Sequence, residues 1–225
     1  MGVHDGHRMR LKNRFLEHGL ESFDDHLVME LLLFYTNPRG DMNPVAHRLI
    51  DRFGSLAAVF DAPLSELTKI PGISENSAVL LKLIPQLCGR YMESKVSQEK
   101  VILSTEEAGA YLIPRFFGAL DETAYMLCMD AKGKVLYCGK LSQGGVNATE
   151  ISVRKVVENA LMYRATGVIL AHNHTSGIAI PSREDICATK RIADALNVVD
   201  IKLLDHLVVA DGDFVSIYDT FRSDR

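Results

Sequence analysis

Two histidines one residue apart, His172 and His174, stand directly after the apolar run Val168-Ile169-Leu170-Ala171. Such a run, preceded by Gly167 and followed by Thr175-Ser176-Gly177, reads as a buried strand entering a polar turn. In an extended segment residues i and i+2 point to the same side, so both imidazoles can address one point while Asn173 faces away. Further along, Ser182 and Asp185 form an S-x-x-D box with Pro181 just ahead and the periodic run Ile186, Thr189, Ile192, Ala193, Leu196 behind, the pattern of a helix start. A carboxylate in that first turn can face back towards the histidines. Two His and one Asp with a fourth position left open is the ligand set of a catalytic zinc rather than a structural one.

The elements needed to position these residues must come from a chain of 225 residues, 47% of them hydrophobic, which suffices for one large domain or two modest ones. A net charge of -4 excludes a general electrostatic pull towards nucleic acid or membrane, so any such contact needs a local patch. Cys88, Cys128, Cys138 and Cys187 are scattered without a C-x-x-C, and no secretory n-region plus h-region opens the chain, so a reducing cytoplasm is expected. The longest apolar stretches, such as Leu31 to Tyr35, are far too short to span a bilayer.

Along the chain, residues 1 to 20 are locally basic through Arg8, Arg10, Lys12 and Arg14, an arm that could touch phosphates or form a solvated helix face. An acidic cap at Asp24 and Asp25 opens a helix through Tyr35, and Asn43-Pro44 opens another that Gly54 closes. Leu67-Thr68-Lys69-Ile70-Pro71-Gly72-Ile73-Ser74 resembles a helix-hairpin-helix, whose turn lets backbone N–H groups approach a nucleic-acid phosphate. Ser74 stands where a second glycine is usual, and acidic and basic residues nearly balance across residues 1–98. Pro85 should kink or shorten the following helix. The polar stretch Ser94 to Lys100 reads as a linker between an all-helical domain, 1–98, and a second domain, 101–225. There a capped helix from Ser104, a β-hairpin around Asp130-Ala131-Lys132-Gly133, a helix to Tyr163, the histidine strand, the Ser182 helix and apolar runs either side of Asp205-His206 alternate. The expected fold is a three-layer α/β domain around a mixed sheet.

The spacing H-x-H-x7-S-x-x-D resembles the core signature of the JAB/MPN (JAMM) metalloprotease family, and HNHTSG with PSRED is similar to its RadC branch. The letters HNH do not make an HNH nuclease, and the H-x-E with P-C-x-x-C signature of zinc deaminases is absent. The resemblance implies a JAB/MPN, cytidine-deaminase-like fold, Zn2+ on His172, His174 and Asp185, and a catalytic glutamate at a strand start. Glu122, ahead of Thr123 to Asp130, fits that position, and Glu150 is the alternative. A zinc metallopeptidase is implied, acting on an amide or isopeptide bond of a peptide or protein substrate, with Glu122 moving the proton and Ser182 either donating to the oxyanion or only capping its helix. Two positions depart from the family: Thr175 replaces a usual Pro, and Lys155 replaces a usual Glu. Asp205 and His206 match a family pattern and are expected to form a hydrogen-bonded structural pair rather than a further ligand. A second reading is a DNA-repair accessory protein with weak, sequence-independent DNA binding through the amino-terminal domain and a metal domain serving as a structural or protein-contact platform.

Overall fold

The computed structural model describes residues 3–95, 100–143 and 151–219. Residues 96–99, inside the expected linker, and 144–150, which include Glu150, lie outside the described residues. The chain divides into two compact units, Met1–Leu87 and Cys88–Arg225.

The first unit is helical: α1 (Val3–His18), α2 (Asp25–Thr36), α3 (Asn43–Phe53), α4 (Leu56–Asp61), α5 (Leu64–Leu67) and the start of α6 (Glu75–Ser94). Met29, Leu33, Ala46, Leu49, Val59, Leu67 and Leu81 are fully buried in its core. The boundaries follow local chemistry. Gly54 ends α3 in the left-handed region, and the Ser55 hydroxyl caps α4 by accepting from Ala58 N–H. Asp24 makes no side-chain cap; Asp25 instead accepts Leu56 N–H and ties the start of α2 to α4. Helix α6 is not shortened at Pro85 but runs on to Ser94. Its other turns keep it helical although that proline cannot donate to Leu81.

Three of the four basic residues of the amino-terminal arm have partners inside this unit. The Arg8 guanidinium lies 4.4 Å from the Phe34 ring centre and donates to Gly40 O, Lys12 lies over Tyr35, and Arg14 over Phe23. His7 and Asn43 meet the two carboxylate oxygens of Glu30, which is wholly buried. The turn between α5 and α6 depends on Gly72, which has φ 98°, and a methyl group there would sit 2.7 Å from Val45 Cγ2.

The second unit contains α7 (Thr105–Leu112), a 3-10 turn (Ile113–Phe116), β1 (Thr123–Met129), β2 (Val135–Gln143), α8 (Val153–Met162), β3 (Gly167–Asn173), α9 (Arg183–Asn197), β4 (Lys202–Ala210) and β5 (Asp213–Ser216). The sheet order is β2-β1-β3-β4-β5, with only β3 and β4 parallel, so the sheet is mixed. Alternation sorts the strands between two cores. Met126, Val168, Leu170 and Leu203 pack with Val156 of α8 and Ile192 of α9, whereas Leu127, Ile169, Leu207 and Val209 pack with Tyr111 and Leu112 of α7. This is a three-layer α/β domain.

Leu203 and Leu207 are an even number of residues apart yet face opposite layers, because β4 carries a bulge. Val168 pairs with Leu203 and Ile169 with Asp205, leaving Leu204 as an extra residue. The runs that flank Asp205-His206 are thus one strand. Gly72→Ala should destabilise the protein by about 1–3 kcal/mol through a positive φ and overpacking against Val45. Thermal or urea unfolding against the wild type measures it.

Candidate metal centre

Strand β3 is buried throughout and lies between β1 and β4, so its backbone is fixed on both sides. His172 points into the α8/α9 layer from the end of this strand, opposite Ala124 on one neighbour and Val208 on the other. His174 lies just beyond it, with its backbone N–H donating to Val209 O and its Nδ1 at 3.2 Å from Ile178 O. A carbonyl only accepts, so His174 Nδ1–H donates to it, and Nε2 is the nitrogen turned towards His172 and Asp185. Gly177, with φ 77°, turns the chain after it.

Asp185 enters from the first turn of α9. Ser182 is the N-cap: its hydroxyl accepts from Asp185 N–H and donates to Asp185 Oδ2 at 2.6 Å, while its own N–H donates to the same oxygen at 2.8 Å. This reciprocal box fixes Oδ2 and leaves Oδ1 facing His172. Burial alone would raise the carboxyl, but its contacts with His172 and with the Ser182 hydroxyl and N–H outweigh burial and hold it well below the usual carboxylate range.

His172, His174 and Asp185 therefore meet at one point. Nε2 to Nε2 is 3.0 Å, His172 Nε2 to Asp185 Oδ1 is 3.3 Å and His174 Nε2 to Asp185 Oδ2 is 3.4 Å. Zinc bonds of about 2.0–2.2 Å to such atoms give tetrahedral edges of about 3.3–3.5 Å. The Nε2–Nε2 and His172 Nε2–Asp185 Oδ1 distances and the donor types thus suit a zinc-sized divalent ion, and the partners of the two imidazoles leave both Nε2 atoms turned towards Asp185.

Glu122 immediately precedes β1 and lines one small pocket together with Ala124, His172, Asp185 and His206. Asn173, on the opposite face from the histidines, holds this strand start. Its Oδ1 accepts Thr123 N–H at 2.8 Å and its Nδ2 donates to Asp121 O, so the backbone is clamped on both sides of Glu122. The parity of the strand shows that Asn173 faces away from the histidines but not what it bonds.

The bulge at Leu204 decides which of Asp205 and His206 joins the site. Asp205 faces α7, where Thr105 and Ser216 hydroxyls donate to its carboxylate. His206 faces α9, with Nε2 at 2.9 Å from His172 Nδ1 and Nδ1 at 2.6 Å from the Thr189 hydroxyl. The two are linked only through His206 N–H donating to Asp205 Oδ1. Burial, followed by the proximity of His172, pushes His206 down to about 3 and keeps it neutral. Lys155 directs its ammonium to the Leu141 carbonyl, on the extra residue of a second bulge, in β2.

A three-layer α/β domain gathers His, His and Asp at the carboxyl end of its central parallel strand pair, beside a strand-start glutamate, as a group that could hold a metal ion. Residues 102–222 match the RadC-like JAB domain family, and the chain belongs to it. The matched span contains Glu122, His172, His174, Ser182, Asp185 and His206. Asn173→Ala should destabilise the fold by about 1–3 kcal/mol, because it leaves Thr123 N–H buried without its acceptor. Chemical denaturation of the metal-free variant reads this apart from any activity.

Proposed function

We propose that the protein is a zinc-dependent metallohydrolase of JAMM type that cleaves an amide or isopeptide bond in a peptide or protein. The observation that supports this reading is the convergence of His172 Nε2, His174 Nε2 and Asp185 at 3.0 to 3.4 Å, with Glu122 lining one pocket together with His172 and Asp185. A zinc ion held by these three residues would supply a Lewis acid for the substrate carbonyl and lower the pKa of a water towards neutrality.

The remaining work falls to the chain. His172 and His174 would contribute their Nε2 atoms, and Asp185 the oxygen that Ser182 leaves free. Glu122 is the general base: it takes the proton of the attacking water and delivers it to the leaving amine. The clamp from Asn173 keeps that carboxylate from drifting out of reach. Ser182 orients the Asp185 carboxylate, and it acts as an oxyanion donor only by releasing Oδ2.

Replacing His172 or His174 by Ala should remove both zinc and hydrolysis. Glu122→Gln should keep near-stoichiometric zinc while slowing turnover by ~100-fold or more, the scale of a general acid-base contribution. Elemental analysis and a panel of peptide and isopeptide substrates provide the readouts. Full zinc retention in the His172→Ala, His174→Ala double variant overturns the metal assignment, and zinc loss in Glu122→Gln moves that residue into the ligand set.

A further inference from the structure

Behind the metal cluster, four residues form a closed circuit. His172 Nδ1 lies 2.9 Å from His206 Nε2, His206 Nδ1 lies 2.6 Å from Thr189 Oγ1, and Thr189 Oγ1 donates to the Asp185 carbonyl oxygen at 2.6 Å. Asp185 Oδ1 closes the ring at 3.3 Å from His172 Nε2. All four residues are buried, with exposures of 1% for His172 and His206, 2% for Thr189 and 4% for Asp185.

The direction of each bond follows from one atom that cannot donate. The Asp185 carbonyl has no proton, so the single hydroxyl hydrogen of Thr189 goes to it, and Thr189 must accept from His206. His206 therefore carries its proton on Nδ1 and, being neutral, presents a lone pair on Nε2. That lone pair accepts the Nδ1–H of His172. With Nδ1–H given to His206, Nε2 is the nitrogen of His172 that faces His174 and Asp185.

We propose that Thr189 and His206 are positioning residues that hold His172 in its Nδ1–H tautomer and so make Nε2 the metal-binding nitrogen. The consequence for metal rests on the function proposed above, whereas the donation of His172 Nδ1–H to His206 is a property of the metal-free chain. Without the Thr189 hydroxyl, a buried His206 Nδ1–H has no acceptor, and His206 is better served by moving its proton to Nε2. It then donates to His172 Nδ1, and the His172 proton shifts to Nε2, into the point where the ion must sit. Two residues that never touch the ion thus control whether a ligand is available.

Thr189→Val and Thr189→Ser separate this role from packing, since Val keeps the shape without the hydroxyl and Ser keeps the hydroxyl without the methyl. Zinc affinity, measured on the full chain by competition with a chromophoric chelator, should fall ~10–100-fold in Thr189→Val and stay close to wild type in Thr189→Ser. Long-range proton–nitrogen imidazole correlations on the metal-free protein should place the His172 proton on Nδ1 in the wild type and shift it towards Nε2 in Thr189→Val. Equal affinity of Thr189→Val and wild type overturns the proposal. So does a Ser variant as weak as the Val variant, or a metal-free wild type with no proton on His172 Nδ1. A wild type that takes up no zinc overturns the proposed function instead, and the imidazole spectra then decide the tautomer on their own.

Discussion

Two imidazole nitrogens lie 3.0 Å apart and each approaches an oxygen of the Asp185 carboxylate at 3.3 or 3.4 Å, and much of the surrounding structure exists to keep them there. Left free, each would rotate away to find a donor. The domain prevents this by engaging the other polar atom of each group: Ile178 O takes His174 Nδ1, His206 takes His172 Nδ1, and Ser182 takes Asp185 Oδ2. Among the described residues no buried side-chain nitrogen or oxygen lacks a partner, so the polar interior costs little in stability.

What could be read from the sequence is what depends on nearest neighbours along the chain. The i, i+2 placement of His172 and His174 follows from strand alternation, and the meeting of Ser182 with Asp185 follows from helix capping, so both stand in the structure as their spacing implies. Glu122 depended on the family resemblance, because its approach to the pocket is set by the pairing of β1 with β3. His206 and Thr189 were out of reach as a pair. Their meeting requires a bulge in β4, which no periodicity in Leu203 to Val209 announces, together with the packing of α9 on that face.

The amino-terminal unit shows the same division between local and distant causes. Its helix ends follow Pro44 and Gly54, as local chemistry dictates. The buried Glu30 does not: a carboxylate amid Leu27, Met29 and Leu31 reads as the polar side of a helix until α1 and α3 bring His7 and Asn43 to it. Basic residues that look free in the sequence are likewise spent on Phe34, Tyr35 and Phe23. The Pro-Gly turn is accounted for by fit against Val45, with Arg48 donating to Pro71 O beside it.

The bulge in β4 has a consequence for anyone who would transplant or align this site. Acid and imidazole are adjacent in the chain and emerge on opposite layers, so the number of residues in the strand, rather than their identity, selects which one reaches the pocket. A gap placed one column away from Leu204 would equate an aspartate that anchors α7 with a histidine that touches His172. A scaffold that copies every side chain of the cluster onto a regular strand would likewise present the wrong group. Leu204, nearly half exposed and in neither core, lies over Gly167 and acts in that sense as a spacer that sets the count.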